Sequence, residues 1–178
     1  TSTELGQIIA LAAYDGKVGD NGGWVRGVVS GSAPNRIMTI EYNNLEIDYN
    51  DGRYTDVQVS FYETSYKVVI KLGADNIYKG GVDMGIHSGV DNYFNKWQEV
   101  YSGTNNTWIE YTPVAPPDPP AAPAASWNYG FSSGNLGTTY DWIDCSSGHF
   151  VVSGDDAEAQ INWPFDFNYY DNTYTTSD

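Results

Sequence analysis

Apolar positions in this chain recur at every second residue and in short runs, which is the period of strands and not of helices. Residues 7–14 (QIIALAAY) form an apolar run of strand length, followed by the turn-rich DGKVGDNGG. WVRGVVS at 24–30 reads as the next strand, with Gly27 as an expected bulge. After the turn GSAPN, the stretch 36–42 (RIMTIEY) sets Ile37, Thr39 and Glu41 against Met38, Ile40 and Tyr42. LEIDY at 45–49 alternates as a separate strand with Glu46 and Asp48 outward, and Asp51-Gly52 is a turn. In 56–63 (DVQVSFYE), Val57, Val59 and Phe61 oppose Gln58, Ser60 and Tyr62, and Thr64-Ser65 turns the chain back into 66–72 as a hairpin. Residues 82–87, 97–101 and 107–111 are three further strand candidates, with DNYFNK as a polar loop between them.

The alternation then stops. Six of the eight prolines fall in 113–125 (PVAPPDPPAAPAA), where each fixes φ and removes a backbone donor. Such a stretch is expected to be extended polyproline II, and at ~3.1 Å per residue it could span ~40 Å. It divides the chain into 1–112, a linker at 113–125, and 126–178. The last block reads as two short strands within SWNYGFSSGNLGTTYDWIDC, then strands at 148–153, 158–163 and 165–170. So few short strands cannot bury a core unaided, and the single Cys145 provides no disulfide to staple them. The block must pack on something, and the first block is the obvious partner.

Composition supports an all-β reading: fifteen Tyr, six Trp and nineteen Gly, with few Leu, Lys, Gln and Arg. The net charge of −15 is uneven, since residues 1–112 carry all eight Lys and Arg against fourteen acidic residues, while 113–178 carry nine acidic residues and no basic one. An acidic surface repels phosphate backbones, which argues against nucleic acid as a partner. No apolar run approaches the length of a membrane span, and no basic segment followed by an apolar stretch opens the chain, so neither a span nor a signal peptide is expected within it. The expected fold is an antiparallel β-sandwich, jelly-roll-like, and the acidity suits solubility in a salty or extracellular setting.

Three segments, GSAPNRIMTIEYNNLEI, VQVSFYETSYKVVIKLG and GVDMGIHSG, resemble a large β-rich module of secreted and cell-surface proteins of the Bacteroidota, including giant adhesins and proteins of the gliding-associated secretion route. Ser32-Ala33-Pro34-Asn35-Arg36 and Phe61-Tyr62-Glu63 match its pattern, while Tyr42 stands where that family commonly has Trp. The second block resembles the opening of the same module through Tyr129, Phe131, Ser132, Ser133 and Gly134, then Asp155-Asp156, then Pro164 to Tyr174, with Asp171 in place of a common Gly. The resemblance implies that the later part of the module comes first, then the linker, then the earlier part. It further implies tandem copies or head-to-tail self-association, with residues 126–178 completing the fold in cis or in a neighbouring copy.

Candidate chemistry is sparse. His87 and His149 have no metal-ligand spacing, and no GxSxG elbow is present, so no catalytic residue and no enzyme activity is expected. Calcium is the one candidate cofactor, because Asp-rich turns supply oxygen ligands; Asp155 and Asp156 are the candidate ligands, although Asp and Asn serve turns equally well. Tyr93, Trp97 and Trp108 are candidate sugar-stacking residues for a surface glycan, against the alternative that they are core and cross-strand pairs. Asn105-Asn106-Thr107 fits a glycosylation sequon. The expected function is a non-catalytic structural or adhesive module, with a carbohydrate-binding module as the alternative.

Overall fold

The computed structural model describes residues 8–13, 16–46, 52–73, 82–87, 94–100, 106–114, 128–155, 157–170 and 172–176. These hold strands β1 (Ile8–Ala13), β2 (Lys17–Val18), β3 (Trp24–Ser30), β4 (Ile37–Glu46), β5 (Tyr54–Tyr62), β6 (Val68–Leu72) and β7 (Val82–His87). They continue with β8 (Phe94–Val100), β9 (Thr107–Val114), β10 (Asn128–Asn135), β11 (His149–Val152), β12 (Gly154–Asp155), β13 (Phe167–Tyr169) and β14 (Asn172–Tyr174). The strands pair antiparallel, and no helix occurs among the described residues. The protein is all-β, as its alternation and composition predict.

The main sheet runs β10-β9-β6-β5-β4, and beyond β4 it continues as β3 with β11 and as β2 with β12. β1-β7-β8 form a second sheet and β13-β14 a short ribbon. One face of the main sheet carries Met38, Ile40, Val57, Val59, Phe61, Val68, Ile70, Leu72, Ile109, Tyr111 and Tyr129, all buried. Ile86, with the half-buried Ile9 and Leu11, packs on this core from the second sheet, and Phe165, Phe167, Tyr169 and Tyr170 pack on it from the chain end. Phe61 meets Trp163 and Phe167 edge-on at 5.0 and 5.4 Å, the preferred geometry of opposed ring quadrupoles. Each such side chain stabilises the fold by roughly 1.5–3 kcal/mol on burial. The short strands of the chain end therefore lack a core of their own and complete this one.

Several elements differ from their expected form. The strand expected at 36–42 runs on without interruption into Leu45 and Glu46 of the strand expected at 45–49, whose residues 47–49 lie outside the described residues; the resulting β4 pairs with β5 across a register break between Tyr42 and Leu45. Asn44 in that break has φ of 48°, a left-handed conformation that Asn tolerates. The break swings Glu46 inward, where it is 2% exposed, accepts the Gly52 N–H at 2.8 Å and pairs with Lys17 at 3.3 Å. Gly27 is no bulge, since β3 and β4 stay in register through Gly27 and Ile40. β8 starts at Phe94, inside the expected loop, and β9 runs on through Pro113 and Val114, the first residues of the expected linker. Pro113 lies past the last β6 partner of β9, Tyr111, so its missing N–H removes no bond from that ladder. Residues 157–163 form no strand, and the two strands expected in 126–145 are one, β10.

Candidate functional site

The two outer positions of the main sheet are both filled from beyond the proline stretch. β10 pairs with β9 over eight residues, from Asn128 opposite Val114 to Asn135 opposite Thr107. At the other end β11 pairs with β3 and β12 with β2. Each pairing satisfies a row of backbone N–H and C=O groups that would otherwise stand at an open edge. Val114 and Asn128 are Cα partners, so the described residues on either side of the proline-rich stretch lie side by side.

Between β10 and β11 the chain crosses the other face of the sheet as a strap, residues 136–148. Its first anchor is Tyr140, which meets the Trp108 ring edge-on at 5.1 Å. The Tyr140 hydroxyl donates to Glu110, and Lys67 donates to Glu110 at 3.1 Å and to the Tyr140 hydroxyl. The Lys67 ammonium also sits 4.4 Å from the Tyr62 ring centre and 5.0 Å from that of Tyr140. Burial pushes both phenols up, Tyr62 to about 12. Burial also pushes the Glu110 carboxyl up, but hydrogen bonds from Tyr140, Thr112 and Lys67 outweigh it and hold the carboxyl below its usual range.

The second anchor is Gln58, whose amide acts as a peptide group toward the strap: Nε2 donates to the Ile143 carbonyl and Oε1 accepts the Ile143 N–H at 3.2 Å. Nε2 also donates to Glu41 at 3.0 Å. Cys145 is fully buried. Burial pushes the Glu41 carboxyl up, opposed by Gln58 and by the N–H and thiol of Cys145. Burial first, then the Glu41 charge, pushes the thiol up to about 12. At the far end Arg26 donates to the Ser146 carbonyl and stacks over Trp24 at 4.8 Å.

The strap thus lies along one ladder row. Arg26, Glu41, Gln58, Lys71, Trp108 and Gly134 are successive Cα partners across β3, β4, β5, β6, β9 and β10. Alternation alone puts Glu41 and Gln58 on the polar side and so reads them as solvated. Only the strap makes them interior. The apolar residues Tyr140, Trp142, Ile143 and Cys145 inside an otherwise polar segment are the signal that could have shown it.

Of the candidate site residues, Trp108 is 8% exposed, with its indole N–H donated to the Asn135 carbonyl at 3.0 Å. It is a core residue with no open ring face, because the strap and β10 cover it. Asp155 is exposed on β12 opposite Lys17, and Asp156 lies outside the described residues. Lys17 is itself paired with Asp20 at 2.6 Å. The described residues contain no cluster of three or more His, Cys, Asp or Glu suited to a metal. The backbone of Trp97 lies in β8, whereas Tyr93 and Asn105 lie outside the described residues. His149 is exposed on β11, and His87 ends β7.

No curated protein and no solved structure matches the chain. Residues 1–127 match the family model described as NIDO related, and that match ends one residue before β10 begins. No helix among the described residues is long and apolar enough to cross a membrane. The match spans well over half of the sequence, and the chain therefore belongs to the NIDO-related family as an extracellular-type β module.

Proposed function

We propose that this chain is a non-catalytic structural module of an extracellular surface protein or filament, whose segment 128–176 is the joining element between copies. The observation that carries the reading is that both outer positions of the main sheet are filled by this segment, which lies beyond the family match. It is attached through a proline-rich stretch long enough to deliver the same strands to a neighbouring sheet. Held in cis, the segment benefits from the high effective concentration that a short tether gives. Exchanged between copies, the same hydrogen bonds form head-to-tail. Because that contact is heterologous and does not close on itself, it extends into a filament. The motif resemblance to Bacteroidota surface modules fits this reading, since tandem copies are where such exchange operates.

Sedimentation of the purified full chain over a wide concentration range tests the proposal. Exchange predicts a monomer when dilute and a ladder of multimers when concentrated, with slow interconversion. A pair of cysteines at the partner positions Thr112 and Gly130, oxidised in the dilute monomer, fixes the segment in cis and should abolish the multimers. A chain that stays monomeric at every concentration overturns the reading, as does a locked variant that still assembles.

A further inference from the structure

The ladder row beneath the strap holds a grouping that anchoring alone does not account for. Lys71 is 1% exposed, Gln58 fully buried and Glu41 4% exposed. They sit side by side on β6, β5 and β4, with Gln58 the Cα partner of both others. Directly opposed residues leave the same sheet face with their Cβ atoms about 5 Å apart, a separation that a lysine side chain is long enough to bridge to the neighbouring carboxamide. A buried ammonium is costly unless a carboxylate pairs with it closely. Glu41 is hydrogen-bonded by Gln58 at 3.0 Å, and both it and Asp141 act on the Lys71 ammonium through their charge.

We propose that Lys71 and Gln58 join spontaneously in an isopeptide bond, with Glu41 as the proton carrier. The neutral amine of Lys71 attacks Cδ of Gln58, and an Nζ–Cδ bond forms. The electron pair displaced onto Oε1 is met by the N–H of Ile143, which lies 3.2 Å from that oxygen before reaction. Glu41 takes a proton from Nζ and delivers one to Nε2, the atom it already touches at 3.0 Å. The Cδ–Nε2 bond then breaks and ammonia leaves. One amide replaces another, so no oxidant, reductant or further reactant is required. The product amide is neutral, and Lys71 no longer carries a buried ammonium.

The surroundings favour this course. Burial pushes the Lys71 amine down to about 8, toward the neutral form that attacks, and pushes the Glu41 carboxyl up, which makes its carboxylate a stronger proton acceptor. Holding the two groups side by side replaces a collision between separate molecules. The strap keeps water from competing for the carboxamide. The bond joins two strands within the family match, so it forms within one chain whichever copy supplies the strap.

Intact mass spectrometry of the purified full chain is the test. The expected result is a mass lower than that of the sequence by one ammonia. A tryptic digest should show no cleavage after Lys71 and a branched peptide joining the segments that hold Gln58 and Lys71. Lys71→Met and Glu41→Ala should each restore the full mass. The wild-type measurement stands by itself should either variant fail to fold. Cys145 should still titrate as a free thiol in denaturant; its disappearance would mean a Gln58–Cys145 thioester and overturn the assignment. An unmodified mass in the folded protein overturns it as well.

Discussion

Arg36 and Glu63 fasten the start of β4 to the end of β5. The backbone N–H and Nε of Arg36 donate to Oε2 of Glu63 at 2.9 Å each, and Nη2 donates to Oε1. The Glu63 N–H returns a bond to the Arg36 carbonyl at 3.0 Å. Nη1 reaches the Pro164 carbonyl at 2.8 Å, and the guanidinium lies 5.4 Å from the Phe165 ring centre. Three sequence motifs far apart in the chain, ending at Arg36, ending at Glu63 and beginning at Pro164, meet at this one cation. The forked geometry suits arginine and not lysine.

The pairing makes stability sensitive to acid. Hydrogen bonding from Arg36 holds the Glu63 carboxyl below its ordinary value. A depressed carboxyl contributes stability that is fully present above its unfolded value, about 4.3, and that is lost as pH falls through the lower folded value. Glu63→Gln should therefore melt below wild type at neutral pH, with the gap closing under acid conditions. Thermal unfolding across the acid range reads this directly; a gap independent of pH would contradict it.

Gly134 lies flat beneath the Trp108 indole. A Cβ at this position would stand 2.7 Å from Cζ2 and 2.9 Å from Cε2 of that ring. Gly134→Ala should displace the indole, weaken its bond to the Asn135 carbonyl and cost about 1–3 kcal/mol, the usual range for overpacking. Denaturant unfolding gives the energy, and a red-shifted tryptophan emission gives the displacement.

Tyr140→Phe keeps the ring on Trp108 and removes the hydroxyl shared by Glu110 and Lys67. A buried bond to a charged group is worth about 1.5–3 kcal/mol, so destabilisation of that order is expected by chemical denaturation. The Glu110 carboxyl should rise at the same time, because Tyr140 is the first of the donors that hold it down.

A chain ended at residue 127 keeps the whole family match and loses both edge covers. The outer edges of β9 and β3 would then present unpaired backbone groups, and the strap-covered face would open to water. Such a fragment should be aggregated and should bind a hydrophobic dye, whereas the full chain should do neither when dilute. A soluble, dye-negative monomer of 1–127 would show that the edges need no cover.

Cys145 should be silent toward thiol reagents in the native protein at mildly alkaline pH and should react once denatured. Its burial, together with a thiol pushed up to about 12, leaves almost no thiolate. Rapid native labelling would mean that the strap opens.

The all-β class, the strand spans of β3 and β7 and the pairing of β5 with β6 were legible in the sequence, because strand period and turn residues act locally. The resemblance motifs, too, lie where the fold fastens its parts. Three things were not legible: the continuity of β4 past residue 42, the inward turn of Glu46, and the burial of Lys71, Gln58 and Glu41. A period of two distinguishes the faces of a strand but cannot say which face a distant segment will cover. The sequence by itself determined strands, turns and the need of the last block for a partner. Only the tertiary structure decided that this partner is the same sheet at both edges. That choice depends on long-range pairing between residues on either side of the prolines, and loop-closure entropy rises too slowly with length for the tether alone to fix it.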